Sequence, residues 1–369
     1  MSKKIRVLYT ISNFDTSGSG KSVYDLVKHI DRDVFEPEIC CTRDDGLFFK
    51  EVEKLDAKIH IFPFKTNYRP WLSFPFRVLK IKRFFKAQQF DLIHSWNWSS
   101  DISEPLAARL AGIPYIYTKK AMGWGNKYWT WKSKLSTKII AVNRDMMVQY
   151  FADMMDKVVR FPLAIDTEVY KPSAIVSDIS KTTYFKTDDF VILSIANLVA
   201  VKGIEVLIEA VEQLNDDHIK VLIVGNDTND YGRHLKEHYK ANNNIVFAGK
   251  QLEVRPFLEL ADVFVIPTKD EGRREGIPNA PLEAMASECV VLGSNVSGVK
   301  DILNAFPECL FKASDVKELA EKIKEVKQMS QNDRSNLASR MRQQVIKEFS
   351  IETFLKNHET LYLSIVKQE

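Results

Sequence analysis

The chain has 369 residues, a length that predicts two domains rather than a single core. Hydrophobic residues make up 45% of the sequence and charged residues 27%, which excludes an intrinsically disordered protein. A formal net charge of +3 is too small to indicate nucleic-acid binding. The sequence shows no signal-peptide pattern and no apolar run of about 18 residues, so we expect a cytoplasmic protein without a transmembrane helix.

Short apolar runs alternate with amphipathic stretches through the first half of the chain. The runs that are predicted to be strands are KIRVLYTI, FEPEICC, KIHIFPF, FDLIHSW, IPYIYT, KIIAV and KVVRFP. Helices are predicted to begin between them, near Ser22, Leu47, Phe74, Asp101, Lys127 and Arg144. Because fully apolar strands separated by helices are typical of parallel sheets covered on both faces, this half predicts a doubly wound α/β domain.

The polar segment 166–189 interrupts this alternation and is predicted to connect two domains, because it has weak periodicity and carries Pro172. The alternation then restarts with the predicted strands FVILSIAN, KVLIVG, NIVFAG, DVFVIPT and CVVLGS. Helices are predicted near Ile204, Tyr231, Leu252, Pro281, Val299 and Val316, and the tail from Val316 is predicted to be helical throughout. In open α/β sheets ligands bind at the carboxyl ends of the strands, so the loops after the strands are the candidate sites.

The stretch DTSGSGKS lies between the first predicted strand and the first predicted helix. A glycine-rich loop ending in Gly-Lys-Ser at this place has the layout of a P-loop, although Asp15 stands where the strict pattern requires glycine. A P-loop kinase or NTPase that uses Gly18 to Ser22 is therefore an alternative hypothesis for this protein. Whether or not the protein is a P-loop enzyme, this loop is predicted to face phosphate.

The stretch Arg274 to Gly298 carries the densest chemical pattern. Glu275 and Glu283 are eight residues apart, the first in the loop after a strand and the second early in a predicted helix. Asn279 is predicted to cap that helix, and Pro281 suits its first turn. The exposed N–H groups and the positive end of the helix dipole favour a phosphate or a sugar hydroxyl, and Glu283 is placed to accept hydrogen bonds from a ribose.

The block EGIPNAPLEAMA resembles the Glu-x7-Glu signature of retaining GT-B glycosyltransferases of glycosyltransferase family 4. The resemblance extends over essentially the whole chain, through FVILSIANLVAVKG, VLIVG, VFAG, ADVFVIPT and SNVSGVKDIL in the second half and through VLYTISNFDTSGSGKSVYDLVKHI, FDLIHSW and KIIAVN in the first. It implies two Rossmann-like domains that face each other across a cleft. The implied division is an acceptor-binding domain, 1–168, a nucleotide-sugar-binding domain, 169–348, and a C-terminal helix, 349–369, that returns to the first domain.

The resemblance also implies roles for individual residues. Lys202, in AVKG, matches the lysine that grips the donor diphosphate, and Glu283 matches the glutamate that binds ribose. Glu275 matches the glutamate beside the donor sugar, so Glu275 and Lys202 are the catalytic candidates. The rest of the implied donor site consists of Gly18, Ser19, Gly20, Lys21, Asn197, Gly276, Ile277, Pro278, Asn279 and Ala280.

Several positions depart from the family pattern. Asn197 stands where the family usually has an arginine, which weakens the diphosphate clamp unless Arg273, Arg274 or Lys21 supplies the missing charge. Lys120 stands where the family often has a histidine facing the cleft, and either phosphate binding or a solvated lysine pair with Lys119 explains it. His94 ends a predicted strand, so both a role in the cleft and a packed histidine remain open. The loss of the arginine also leaves open a protein that binds a sugar nucleotide without catalysis.

Two segments mix cations with aromatic residues, 74–89 and 123–138. Basic, aromatic helices suit the surface of an anionic membrane, whereas the alternative is that the apolar side chains face the core and the cations face water.

The family resemblance implies that the protein is a retaining hexosyltransferase that needs no metal or other cofactor. It moves a sugar from a UDP- or GDP-sugar to a glycan or lipid-linked acceptor in bacterial surface polysaccharide assembly, in the cytoplasm or at the inner face of the membrane.

Overall fold

The computed structural model describes residues 3–15, 17–172, 183–272 and 276–366. The chain divides into two compact units, Met1–Ala164 together with Ile351–Glu369, and Ile165–Ser350. The sequence placed the corresponding boundaries after residues 168 and 348. Part of the segment that was predicted to connect the domains, 173–182, lies outside the described residues.

The first unit contains a seven-stranded parallel sheet in the order β3-β2-β1-β4-β5-β6-β7. Its strands are β1 (Ile5–Thr10), β2 (Phe35–Cys41), β3 (Ile59–Ile61), β4 (Leu92–Ser95), β5 (Tyr115–Lys119), β6 (Lys138–Ala141) and β7 (Val158–Arg160). Its first six helices are α1 (Ser17–His29), α2 (Phe49–Val52), α3 (Phe74–Gln88), α4 (Ser103–Ala111), α5 (Tyr128–Leu135) and α6 (Arg144–Phe151). Each predicted strand run of this half overlaps one observed strand, and the inner strands β4 and β5 are buried along their whole length because helices cover both faces of the sheet.

The second unit contains a six-stranded parallel sheet in the order β10-β9-β8-β11-β12-β13. Its strands are β8 (Phe190–Ile195), β9 (Ile219–Val224), β10 (Ile245–Gly249), β11 (Val263–Ile266), β12 (Val291–Ser294) and β13 (Leu310–Phe311). Its helices are α7 (Ile204–Leu214), α8 (Asp230–His238), α9 (Arg255–Leu260), α10 (Asn279–Ala286), α11 (Val299–Ile302), α12 (Val316–Gln328) and α13 (Gln331–Phe349). The two-residue strand β13 was not predicted, because it is too short to show a period.

The C-terminal tail is helical over most of its described length, as predicted, and it forms three separate helices. Ser330 caps α13 by accepting a hydrogen bond from the amide of Asp333 at 3.1 Å, so α12 and α13 are distinct. Ser350, in extended conformation, separates α13 from α14 (Ile351–Val366). Helix α14 belongs to the first unit, where Phe354 and Tyr362 join its hydrophobic core.

The strand order of each sheet reverses at one point. The reversal lies between β1 and β4 in the first unit and between β8 and β11 in the second. The loops that leave the carboxyl ends of such a strand pair diverge to opposite faces of the sheet and leave a crevice between them. Each unit therefore has one crevice, and these two places are where ligand-binding residues are expected.

Candidate functional site

The crevice of the second unit is bounded by the loops that follow β8 and β11. Lys202 ends a short 3₁₀ turn, Ala200–Lys202, in the first of these loops, and its side chain is half-buried. The amide of Lys269, in the second loop, donates to the carbonyl oxygen of Val201 at 2.8 Å. The two loops are thus joined beside Lys202, which fixes the backbone that carries this cation.

Two glycines allow the loops of the second unit to approach each other closely. Gly203 has φ +64°, and a Cβ there would lie 2.2 Å from the carbonyl oxygen of Pro267. Gly298 has φ +83°, and a Cβ there would lie 2.0 Å from the carbonyl oxygen of Gly276. Both positions combine a left-handed backbone with a contact that no side chain tolerates, so only glycine fits. Sequence analysis did not identify either constraint.

Other residues are the candidates to replace the positive charge of the arginine that the family usually has at position 197. Asn197 is exposed, while Arg273, Arg274 and Glu275 lie outside the described residues. Lys269, which sequence analysis did not select, adds a cation to the loop after β11. Its ammonium pairs with the carboxylate of Glu205 in the first turn of α7, and this pairing raises the pKa of Lys269.

Helix α10 begins in the crevice without a side-chain cap. Pro278 is the N-cap residue in extended conformation, and its side chain has no atom that accepts a hydrogen bond from the first turn. The predicted cap by Asn279 is therefore wrong: Asn279 is already the first helical residue, because Pro278, extended at ψ 139°, occupies the N-cap position. Backbone N–H groups at this helix start have no intrahelical partner, which favours an anion or a sugar oxygen.

Glu283 lies in the second turn of α10 and is largely buried. Burial raises the pKa of its carboxyl to about 7, and the negative charge of Glu253 acts in the same direction. A hydrogen bond with Tyr170 opposes this rise. Arg342 of α13 donates to the carbonyl oxygen of Tyr170 at 2.9 Å and to that of Ala286, so it ties this tyrosine to the end of α10. No sequence pattern indicated Tyr170 or Arg342.

The crevice of the first unit holds a cavity of about 300 Å³. Its lining comes from the loops after β1, β4 and β5 and from the start of α1, and comprises Ile11, Ser12, Asn13, Ser19, Gly20, Trp96, Trp98 and Lys120. The Lys120 ammonium donates to the carbonyl oxygen of Trp96 at 2.7 Å. Burial, together with the charge of Lys132, lowers the pKa of Lys120 to about 7. Lys120 thus lines a cavity, while its neighbour Lys119 is buried against Trp129, so the alternative of a solvated pair is wrong for Lys119.

The predicted loop Gly18 to Lys21 is helical. Helix α1 begins at Ser17 rather than near Ser22, and Lys21 pairs with Asp25 one turn later on the same helix. A Cβ at position 20 would lie 2.9 Å from the ring of Phe14, so Gly20 serves a close packing contact rather than an open loop. A P-loop wraps phosphate with an open turn before its helix, and these residues do not form one.

His94 is packed in the core of the first unit, with its ring centroid 5.2 Å from that of Trp96, which lines the cavity of the crevice. His94 is fully buried; its Nδ1 bonds Tyr362 Oη at 2.6 Å and its Nε2 bonds Thr118 Oγ1 at 2.8 Å, which is the packed alternative. Among the described residues, Asp188, Asp189 and His218 could share a metal ion. They precede β8 and β9, at the edge of the sheet opposite Lys202.

Two family profiles match the chain. Residues 16–169 match the profile described as Glycosyltransferase Family 4, and residues 176–347 match the one described as Glycosyl transferases group 1. The chain belongs to glycosyltransferase family 4. It is therefore a glycosyltransferase, as the Glu-x7-Glu block and the strand motifs indicated.

Relatives of this glycosyltransferase share low identity over most of its length. The capsular polysaccharide biosynthesis glycosyltransferase CapH of Staphylococcus aureus is 24% identical over 93% of this chain and 98% of its own. The UDP-Gal:alpha-D-GlcNAc-diphosphoundecaprenol alpha-1,3-galactosyltransferase of Escherichia coli is 23% identical over 65% of this chain and 67% of its own.

Solved structures share the fold of this glycosyltransferase. A glycosyltransferase from Rickettsia africae superimposes with a TM-score of 0.86 at 18% identity, with 100% of both chains covered. Anabaena HepE in complex with UDP and glucose superimposes with a TM-score of 0.76 at 18% identity, over 96% of this chain and 98% of the other. The predicted GT-B fold of two parallel α/β domains is thereby confirmed. Across the described residues, no helix has the length and apolarity needed to span a bilayer.

Proposed function

We propose that this glycosyltransferase moves a hexose from a UDP-sugar to a glycan or lipid-linked acceptor with retention of the anomeric configuration, in the cytoplasm, during assembly of a bacterial surface polysaccharide. One observation carries the proposal. Lys202 lies in the loop after β8 and α10, which carries the largely buried Glu283, follows β11, so the strand order places the loop cation, the start of α10 and this carboxyl at the crevice of the second unit. These three features complement a diphosphate and the ribose attached to it.

The names of similar proteins support the donor and the acceptor class. HepE was solved with UDP and glucose, and the Escherichia coli relative is named for UDP-galactose and a diphosphoundecaprenol-linked sugar. CapH is named for capsular polysaccharide biosynthesis. We extend these properties to this chain as part of the proposal, with GDP-sugars as the competing donor class.

The proposed chemistry is a front-face displacement at the anomeric carbon. The bond between that carbon and the donor phosphate oxygen breaks while the acceptor oxygen forms its bond on the same face. The acceptor proton passes to the departing phosphate oxygen. Negative charge grows on the diphosphate during this step, and Lys202 with the N–H groups of α10 stabilises it without a metal ion. Glu275, beside the donor sugar, is proposed to stabilise the positive charge at the anomeric carbon.

The proposal is tested by incubating the protein with UDP-sugars, GDP-sugars and ATP and measuring the release of free nucleotide. We expect release from a UDP-sugar that is unchanged by EDTA and lost in Glu275→Ala. Nuclear magnetic resonance of the product should show the anomeric configuration of the donor. ATP turnover abolished by Lys21→Ala would instead establish the P-loop alternative, and UDP-sugar binding without turnover would establish an inactive binder.

The raised pKa of Glu283 predicts that donor affinity depends on pH. An ionised carboxylate accepts hydrogen bonds from both ribose hydroxyls, whereas a protonated one does not. With a pKa of about 7, most of the carboxyl is ionised at pH 8 and protonated at pH 6. We therefore expect UDP-glucose affinity to fall about tenfold from pH 8 to pH 6, measured by calorimetry. Glu283→Gln should bind more weakly with no pH dependence in this range; equal profiles for both proteins would contradict the assignment.

A further inference from the structure

A long stretch of the first unit carries many cations and no acidic residue of its own, and one of these cations, Lys58, pairs with Glu38 of β2 at 3.9 Å. Between Lys58 and Phe90 the sequence contains no aspartate or glutamate. The same 33 residues include eight cations, Lys58, Lys65, Arg69, Arg77, Lys80, Lys82, Arg83 and Lys86. Such a run on a protein with a net charge of only +3 concentrates positive potential on one region.

The same stretch exposes large apolar side chains that a folded domain would normally bury. Leu72 is 91% exposed, and Trp71 and Phe76 are each 73% exposed. Tyr68 and Leu79 are exposed to a smaller degree. A contiguous set of exposed aromatic and aliphatic residues, as opposed to scattered single ones, marks an interaction surface.

These apolar side chains and two of the cations share one face of α3 and of the turn before it. Within α3, Leu79 and Lys80 lie three and four residues after Phe76, and Arg83 lies four and three residues after them, which places these four on one side of the helix; Leu72 lies in the turn before it. The opposite side is buried through Val78, Ile81 and Phe85. We call the exposed set, with Tyr68, Arg69 and Trp71, the α3 face.

The α3 face is held by the fold rather than carried on a loose loop. The guanidinium of Arg77 donates to the hydroxyl of Thr66 and to the carbonyl oxygen of Pro70, both at 2.9 Å. The hydroxyl of Ser73 donates to the same carbonyl at 3.2 Å. These bonds tie the segment 66–73 to the start of α3, so Trp71 and Leu72 are presented in a defined position.

We propose that the α3 face docks on the interface of a bilayer that contains anionic lipids. Tryptophan and tyrosine are the side chains that favour the boundary between headgroups and acyl chains, and the cations beside them attract anionic headgroups. The proposal specifies the surface through which the proposed lipid-linked acceptor is reached, and to that extent it rests on the proposed function.

Charge complementarity selects the bilayer over a second copy of the chain. Two copies joined through their α3 faces would bring six cations together, Arg69, Lys80 and Arg83 from each copy, and the α3 face contains no carboxylate to neutralise them. Repulsion between like charges at this density opposes such a dimer. An anionic membrane removes the repulsion and buries the apolar side chains at the same time.

A cavity of about 580 Å³ opens beside the α3 face. Tyr68 and Phe74, from the segment that carries the face, line this cavity together with Lys65. The ammonium of Lys65 donates to Ser12 Oγ at 2.9 Å, and Ser12 lines the smaller cavity at the crevice between β1 and β4. The cavity beside the α3 face thus lies one hydrogen bond, from Lys65 to Ser12, away from the crevice of the first unit.

Vesicle flotation tests the proposal. We expect the full-length protein to float with vesicles of 30% phosphatidylglycerol and 70% phosphatidylcholine (about physiological salt) and not with pure phosphatidylcholine. The triple variant Trp71→Ser, Leu72→Ser, Phe76→Ser and the double variant Lys80→Glu, Arg83→Glu should each bind the anionic vesicles more than about tenfold less tightly.

Matched controls come from the second unit. Leu252 is 97% exposed, so Leu252→Ser removes an equally exposed apolar side chain elsewhere. Lys317→Glu with Lys324→Glu makes the same change in net charge on α12. Both controls should float like the unchanged protein. Equal flotation of the α3-face variants and the controls would overturn the proposal. It would also be overturned if light scattering showed a dimer that the triple variant converts to a monomer without any change in flotation.

The readout of UDP release separates this proposal from the proposed function. The α3-face variants leave Lys202 and Glu283 untouched, so their release of UDP from a UDP-sugar without vesicles should equal that of the unchanged protein. Loss of flotation with normal UDP release supports the docking surface. Flotation that depends on the α3 face in a protein without any UDP-sugar turnover would leave the docking surface standing and contradict the proposed function.

Discussion

Lys202→Ala is expected to lower the turnover of the UDP-sugar by about 100- to 1,000-fold, which is the loss found when one preorganised donor to a developing anion is removed. The lysine ends the turn Ala200–Lys202 at the crevice of the second unit, and the bond between Lys269 and Val201 holds that turn in place. The effect should be large because Asn197 supplies no second cation, so fewer positive groups share the charge of the departing diphosphate.

The rate at saturating donor concentration is the quantity to measure for Lys202→Ala. Lys202→Arg keeps the charge and should recover part of the rate, whereas Lys324→Ala, at an exposed position of α12, should leave it unchanged. A turnover rate in Lys202→Ala that matches the Lys324→Ala control would show that another group carries the diphosphate charge.

Gly298→Ala is expected to abolish donor binding and to lower the thermal midpoint of unfolding. The new Cβ would lie 2.0 Å from the carbonyl oxygen of Gly276, so the loop that leads into α10 must move. A positive φ lowers the free energy of unfolding by about 1 kcal/mol when alanine replaces glycine. An unrelieved steric clash in a packed region lowers it by roughly a further 1 to 3 kcal/mol. Displacement of this loop shifts the helix start that is proposed to bind the diphosphate.

Gly112→Ala is the matched control for Gly298→Ala. Gly112 has φ +74° but nothing within 4 Å of an added Cβ, so it isolates the backbone strain from the clash. UDP-glucose affinity by calorimetry and the thermal midpoint should both change more at position 298 than at position 112. Equal shifts in the midpoint, with UDP-glucose binding retained in both variants, would contradict the role of the Gly298 contact.

The structure shows which side chains of the two basic, aromatic segments are exposed, while membrane contact stays a prediction. Both basic, aromatic segments had the composition of a membrane surface, but α5 turns Trp129 and Lys132 into the first unit. Helix α3 leaves Phe76 and Lys80 outside. The two segments have similar compositions. They differ in which side chains of each helix pack against the rest of the first unit.

The two parallel sheets and the family follow from local patterns in the amino-acid sequence. A buried strand needs a continuous apolar run and a covering helix needs a period near four residues, and both patterns are local, so they can be read without knowing the fold. The same local pattern located Lys202 and Glu283 in segments that follow strands. The lysine and the carboxyl are therefore at the crevice of the second unit by chain order alone.

The surroundings of individual side chains, in contrast, depend on tertiary packing. Phe14 packs against Gly20 and leaves no space for a side chain there, and Tyr362 reaches His94 across 268 residues of sequence. The pKa of Glu283 likewise depends on burial and on Tyr170, which is far from α10 in the chain. Such contacts arise when distant segments pack together, and packing is a property of the whole unit, so no period or motif in the sequence records it.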